Sequence, residues 1–515
     1  MRTHADGAGI GRTAGTDGLF ELIARRGTGP AAGRAYLTSA RTGRQVTYED
    51  LAHAVHDWLG EFDRRGAHPG SRVALAVADP LDFAAVFLAT VATGRCAVPL
   101  PARAPGPELA RSLATLTPDL VVADHAITTG QRALTPDAWG GGGGGAGGGV
   151  LLASSGTTGT PKQVLLDAGR LLHVATAIAR HHQLTAADVG FNSLPLVHVN
   201  AEVVGLLATL VAGGELVLDE RFHRKGFWNL VQSRGVTWIN AVPAILAILA
   251  RGPAPSAAQT RTVRFARSAS APLPAAVLIA FEARTGLPVV ETYGMTEAAS
   301  QITANPVGGR RRPGSVGRPV GTEVRIVDED GRPLGRGQVG RVQIRGRGVI
   351  SAYATQAGDD LFRPGGWLET GDLGQLDTDG YLFLVGRTDD VINRGGEKIF
   401  PREVEEVLLA DARVARAVVY GLPHEVLGQV PAARVQLAGP ADGAERRAPH
   451  RRGPAAAAAA HGLLADLSER CAAQLDRHKR PVRIEVVDDI PVGQTGKVLR
   501  RLIEPGQAVD GSEAA

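Results

Sequence analysis

Between residues 73 and 291 the chain repeats one pattern: a short apolar run of strand length, then a longer stretch with its apolar positions on one side. Residues 73–78, 120–123, 150–153, 215–218, 236–240, 263–267 and 289–291 read as buried strands. Residues 81–93, 171–182, 203–212, 226–234 and 244–250 read as helices between them, and 47–66 as an earlier amphipathic helix stopped by Gly66. Strands alternating with helices predict an α/β fold. From residue 323 to 347 the pattern changes to alternating strands punctuated by Asp330-Gly331, which predicts an antiparallel region. A smaller α+β unit is expected from about residue 389, with helices at 401–410 and 463–475 and strands at 415–421 and 432–437.

At 515 residues the chain exceeds one ordinary core, so at least two domains are expected. Three stretches resist packing. Residues 1–18 are Gly/Thr-rich, read as disordered, and lack the apolar segment of a signal peptide. Residues 140–149 are almost pure glycine and read as a tether; residues 439–461 read as a disordered low-complexity insertion. Arginines are spread along the chain and the formal charge is only +4, which argues against nucleic-acid binding. No apolar run reaches the length of a membrane span. Two distant cysteines, Cys96 and Cys471, exclude a disulfide framework and suggest a reducing, cytoplasmic compartment.

The densest chemical signal lies in Leu151-Leu-Ala-Ser-Ser-Gly-Thr-Thr-Gly-Thr-Pro-Lys-Gln-Val-Leu-Leu166. Two apolar runs flank a turn holding Ser154, Ser155, Thr157, Thr158 and Thr160, with Gly156 and Gly159 freeing the backbone and Lys162 adding charge. Such a loop can close over phosphate oxygens. A Walker A loop requires glycine directly before the lysine, and Pro161 stands there instead. A plain surface turn is the other reading of this composition.

Four further stretches follow in order: Glu291-Thr-Tyr-Gly-Met-Thr-Glu297, Thr370-Gly-Asp372, Gly386-Arg-Thr-Asp389 running on to Asn393-Arg-Gly-Gly-Glu-Lys-Ile399, and Gly493-Gln-Thr-Gly-Lys-Val498. With the opening loop they resemble the ordered core motifs of the adenylate-forming superfamily, which includes acyl-CoA synthetases, adenylation domains and luciferases. Phe227-Trp228, Ala241-Val-Pro243, Arg267-Ser-Ala-Ser-Ala-Pro272 and Pro313-Gly-Ser-Val-Gly-Arg-Pro319 look most like its oxalyl-CoA and carnitine-type ligases. The resemblance implies a large N-terminal domain of stacked sheets over residues 19–388 and a small mobile lid over 389–515. It implies ATP, Mg²⁺ and coenzyme A, and a carboxylic acid joined first to AMP and then to a thiol.

The same resemblance distributes roles. Ser154, Ser155, Gly156, Thr157, Thr158, Gly159 and Lys162 would embrace the ATP phosphates, Thr296 an α-phosphate oxygen, and Glu297 the Mg²⁺, a hard cation suited to carboxylate oxygens. Ala269, Ser270, Ala271, Pro272 and Tyr293 would enclose the adenine, while Asp372 would meet the ribose and Arg387 the same ribose or the phosphate. Lys497 would serve as the catalytic cation, Asp389 as the hinge, and Gly395 and Gly396 as the CoA channel. His198, Asn200, Arg267 and Gly294 would line or gate the acyl pocket. Each has a plainer reading: a solvated acid for Glu297, a structural ion pair for Asp372 and Arg387, a core aromatic for Tyr293, a solvated lysine for Lys497 and a core histidine for His198. Gln163, Gln429 and Gly493 depart from the family pattern without removing a catalytic group.

The acid is not legible. The likeness favours a small or polar carboxylate, and Arg267 reads equally as counter-ion to a second carboxylate or as a strand-end arginine. CoA is the expected acceptor. A carrier-protein thiol, an amine, or ATP-dependent nitrite activation for arylamine diazotisation is the alternative, and a nucleotide-binding protein without turnover the third reading. A homo-oligomer is left open.

Overall fold

The computed structural model describes residues 18–124, 126–129, 148–154, 162–355, 359–438, 454–493 and 497–503. Residues 155–161, the centre of the predicted phosphate loop, lie outside these, as do residues 1–17 and most of the glycine run.

Six apolar strands pair in parallel to form the larger sheet: Val289–Met295, Phe265–Ser268, Trp238–Ala241, Val189–Asn192, Glu215–Leu218 and Ala35–Ser39, in that spatial order. Ser300–Ala304 and then Arg318–Pro319 extend one edge antiparallel, and Gln45–Thr47 closes the other. A second sheet runs Ala126–Thr129, Leu120–Ala123, Arg72–Ala76, Cys96–Pro99, Gly149–Ser154 and Lys162–Asp167. Its inner four strands are parallel and its two outer ones antiparallel. The helix Pro80–Ala92, buried on nearly every side, packs against strands of both sheets, which explains its apolar character all round. Asp79 caps it by accepting from the Leu81 and Asp82 amides, and Thr47 with Asp50 forms a capping box for Tyr48–Arg64.

Three expectations change. The glycine run is not slack at its end: a Cβ on Gly148 would lie 2.2 Å from the Val91 carbonyl oxygen, and Gly149 opens a strand against Cys96. The close backbone approach, which only glycine permits, is what the run supplies there. The predicted helix at 203–212 begins earlier, and its first eight residues, Asn200–Leu207, are wound as a π-helix before the α-helix Ala208–Ala212. The low-complexity insertion ends sooner than expected, because the alanine run favours helix and the second helix of the small unit starts at Pro454.

The antiparallel region is a sheet of Glu323–Val327, Gly340–Arg345, Trp367–Leu376 and Phe362–Arg363, with Leu382–Arg387 paired to Trp367–Leu376. The main core cluster runs from Leu19 to Leu382. A separate core begins at Ile392 and ends at Leu475, built on the strands Glu397–Ile399, Ile392–Arg394, Gly428–Leu437, Val414–His424 and Ile484–Val487 and on the helices Pro401–Leu409 and Pro454–Gln474. The fold is therefore a large α/β body with a small α+β domain. Cys96 and Cys471 are buried free thiols, and no helix of the described residues is long and apolar enough to cross a membrane.

Candidate active site

Parallel sheets bind ligands beyond the carboxyl ends of their strands, and here those ends carry amides and a cation. In register, Asn240 lies between Asn192 and Arg267, so one row of polar side chains crosses three strands. Asn240 Nδ2 donates to Asn192 Oδ1 (2.9 Å), and Arg267 Nη1 donates to Asn200 Oδ1 (3.0 Å) and Asn240 Oδ1 (3.1 Å). Arg267 Nη2 reaches Gln301 Oε1 at 3.4 Å, and Asn200 Nδ2 donates to Ser270 Oγ at 3.0 Å. Arg267 is 1% exposed and has no carboxylate partner among the described residues. Burial lowers its pKa to about 9, so it stays charged at neutral pH. It does stand near the end of its strand Phe265–Ser268, but buried, and without a carboxylate partner among the described residues. His198 and Asn200 stand at the entry to the π-helix, a distortion frequent at functional sites.

The motif predicted to follow a short strand is itself strand. Val289–Met295 continues through Tyr293 and Gly294 because Ser300–Ala304 pairs back on it, with the register shifting between those two residues. Gly294 is required there, since a Cβ would lie 1.4 Å from the Ser300 carbonyl oxygen. The turn Thr296–Ala298 then sets Glu297, 7% exposed, beside Tyr353, whose hydroxyl donates to Glu297 Oε1 at 3.1 Å. Lys162 Nζ lies 5.0 Å from the centre of the same Tyr353 ring. Tyr353 thus joins the end of the predicted phosphate loop to the predicted metal ligand. A lone carboxylate suits Mg²⁺ arriving with ATP, which takes one or two carboxylates and leaves the remaining positions to phosphates and water. Three or more metal-binding side chains do not cluster anywhere among the described residues.

Asp372 is fixed from several directions. Thr370 Oγ1 donates to the Val342 carbonyl and accepts from the Asp372 amide at 3.1 Å. Tyr293 donates its hydroxyl to Asp372 Oδ2, and Arg387 Nη1 pairs with Oδ1 at 3.1 Å. Burial raises the Asp372 pKa, while Arg387, Tyr293 and Lys497 oppose the rise. Tyr293 is therefore tied by its hydroxyl to the predicted ribose carboxylate. Ala269 is buried, Ser270 and Pro272 are exposed, and Ser270 takes a positive φ of 70° that only the surrounding turn can impose.

From the small domain, Lys497 comes within electrostatic reach of the same groups. The Val492–Val498 bridge and the Gly493 N–H donating to the Lys497 carbonyl (2.8 Å) hold its backbone. The residue is exposed, yet desolvation and Arg387 lower its pKa, against Asp372, Asp390 and Glu297. Lys497, Asp372, Arg387 and Glu297 thus share one electrostatic neighbourhood. Asp389 lies in the turn Thr388–Asp390 that joins the two cores. Gly395 and Gly396 form the tip between Ile392–Arg394 and Glu397–Ile399, with positive φ values of 58° and 94°. Gly395 N donates to Leu427 O (2.8 Å), while Lys398 of the same hairpin pairs with Glu329 of the large body.

Two family models match the chain: "AMP-binding enzyme" over residues 150–354 and "AMP-binding enzyme C-terminal domain" over 403–497. This chain belongs to the AMP-binding enzyme family. The family member is 33% identical over 501 residues to oxalate–CoA ligase of Arabidopsis thaliana, covering 88% of this chain and 93% of the relative. It is 41% identical over 349 residues to sulfoacetate–CoA ligase of Cupriavidus necator, a match that covers 67% of this chain and 64% of the relative, just under two thirds. ATP-bound MatB from Rhodopseudomonas palustris superposes with a TM-score of 0.79 at 26% identity, over 94% of this chain and 98% of MatB.

Sequence reasoning missed several residues of this AMP-binding enzyme that the fold brings against the predicted ones. Asn192, Asn240 and Gln301 join Arg267 only through strand register, and Tyr353 only through a distant loop. Glu202 had a local signal, a glutamate inside an apolar run. It is fully buried on the π-helix, its carboxylate oxygens lack a hydrogen-bond partner among the described residues, and burial pushes its pKa well up.

Asp372→Ala is expected to weaken ATP binding by about 10-fold or more, the scale of hydrogen bonds to a charged group. Calorimetric titration with ATP checks it, and an unchanged affinity would remove Asp372 from the ribose. Glu291, 5% exposed, has its pKa raised by burial from 4.5 to about 7, with Arg402 opposing and Glu406 adding. The protonated form therefore favours the fold. Its contribution is complete below about pH 4.5 and is lost as pH rises through about 7. Glu291→Gln should match the native chain in acid and exceed its stability above neutrality, by a few kcal/mol at most. Urea unfolding across that range tests it, and parallel profiles would mean that Glu291 ionises normally.

Proposed function

We propose that this chain is an ATP-dependent acid–CoA ligase. The observation that supports the reading is the fixed constellation of Asp372 with Tyr293 and Arg387, with Lys497 of the small domain within electrostatic reach of it. In the first step a carboxylate oxygen of the acid attacks the α-phosphorus of ATP, the bond to the β-phosphate oxygen breaks, and pyrophosphate leaves. Lys497 supplies positive charge to the oxygens on which negative charge collects. Lys162 and the hydroxyl loop hold the outer phosphates, Thr296 the α-phosphate, and Asp372 with Arg387 the ribose. Glu297 would hold Mg²⁺, which neutralises phosphate charge when bound. In the second step the CoA sulfur, losing its proton, attacks the adenylate carbonyl; the C–S bond forms and AMP departs. Lys497 must withdraw for this, and rotation about Asp389 would bring Gly395 and Gly396 to the thiol's path.

The acid is a small one with a second anionic group. Arg267 supports this: it has no acidic partner among the described residues, a buried cation so placed is costly to fold around, and a bound anion removes that cost. Its partner Gln301 lies opposite Gly294 in the strand leading to Thr296, so the cation adjoins the adenylation site. The relatives named for sulfoacetate and oxalate act on such acids. The need for ATP and CoA, with two buried free thiols, supports a cytoplasmic location.

The test is product analysis with oxalate, malonate, sulfoacetate, succinate and acetate, with and without CoA. AMP, pyrophosphate and a thioester mass only with CoA and a two-anion acid are expected. AMP release independent of CoA would replace CoA by a carrier thiol or an amine, and preference for acetate would overturn the substrate class.

A further inference from the structure

The role given to Lys497 requires its backbone to be held in a fixed place, and three residues on stands a side chain able to hold it. Arg500, in the turn Arg500–Leu502, spreads its guanidinium over three separate parts of the small domain. Nη1 donates to the Val419 carbonyl at 2.7 Å, Nη2 pairs with the Glu405 carboxylate, and Nε lies 3.2 Å from Asp390 Oδ2. Glu405 is itself fixed, accepting the Val419 amide at 2.9 Å. Strand Val414–His424, helix Pro401–Leu409 and the residue next to Asp389 are thus gripped by one side chain. Ile503 and Val498, on either side of Arg500, pack with Val418 and Ile490 in a small apolar cluster. That cluster already fastens the segment to the domain. The polar grip adds what apolar packing does not: a fixed orientation relative to the hinge.

We propose that Arg500 is a positioning residue that orients the backbone at Lys497 against Asp390, so that adenylate formation depends on it and thioester formation does not. The inference rests on the role given to Lys497 above. All three partners of Arg500 lie on the C-terminal side of Asp389, so the grip travels with the domain when it rotates. A cation displaced by about 1 Å from its working position can cost on the order of 100-fold in rate.

The experiment uses the full chain and the acid of the five-acid panel that turns over fastest. Acid-dependent exchange of pyrophosphate into ATP reads the first step. Conversion of that acid's separately prepared adenylate to thioester by CoA reads the second. For Arg500→Gln we expect the exchange kcat to fall by at least about 10-fold, with KM for ATP little changed and the thioester step within about twofold of native. Arg500→Lys, which keeps the charge but not the fork, should recover part of the exchange rate. Equal loss in both steps, with a lowered unfolding temperature, would make Arg500 merely structural and overturn the proposal, as would an unchanged exchange rate. Lys497→Ala run alongside separates the two readings. If it too keeps native exchange, the role of Lys497 fails first; if it loses exchange while Arg500→Gln keeps it, only the positioning role fails.

Discussion

Lys497→Ala is expected to form the acyl-adenylate about 100- to 1,000-fold more slowly while binding ATP as the native chain does. The asymmetry follows from position. The groups that act on Lys497, namely Arg387, Asp372 and Glu297, all belong to the large body, to which the proposed function assigns nucleotide affinity. What Lys497 adds is charge where pentacoordinate phosphorus develops it, which registers in kcat. Its lowered pKa has the same origin, since it is a cation already crowded by Arg387 and partly stripped of water. Pyrophosphate exchange with calorimetric ATP binding checks the split. Native exchange in the variant would reassign the catalytic cation, and lost ATP binding would make Lys497 an anchor.

Arg267→Met should reduce kcat/KM for two-anion acids by about 100-fold or more, the scale seen when one partner of a buried charge pair is removed. Against acetate the variant should lose little. Methionine fills much of the volume, so packing against Asn200, Asn240 and Gln301 is disturbed less than by alanine. The amides lose the donor that fixes their carbonyl ends, so some loss for every acid is built in, and the ratio between acid classes is the informative number. Equal loss for acetate and oxalate would reduce Arg267 to an organiser of its neighbours.

What could be read from the chain and what could not follow from the range of the interactions. The strands and the motifs at 291–297, 370–372, 386–389 and 493–498 are local in sequence, and each leaves its mark in a few consecutive residues. The strand Val289–Met295 looked shorter because its second half has no apolar pattern of its own; it is extended because Ser300–Ala304 folds back on it. The π-helix was invisible because Asn200, Ala201 and Glu202 do not continue the apolar periodicity of the helix that follows. The Arg267 network needs four strands in register, and the Lys162–Tyr353–Glu297 contact needs residues nearly 200 positions apart to meet. Sequence motifs gave the reagents of the site; the second ring of residues that orients them came only with the fold.

The pair between Lys398 and Glu329, at 2.7 Å, spans the two cores where both side chains are largely in solvent, 59% and 86% exposed. Pairs of that kind contribute about 0–1 kcal/mol and fade as salt shortens the Debye length. Ionic strength therefore becomes a handle on domain posture. Raising it loosens a tether of the posture that presents Lys497, without touching the buried groups that the proposed function assigns to the nucleotide. Between about 0.05 and 0.5 M salt, pyrophosphate exchange should decline relative to the thioester step, and Lys398→Gln should flatten that difference. The same salt response in the variant would show that the tether lies elsewhere.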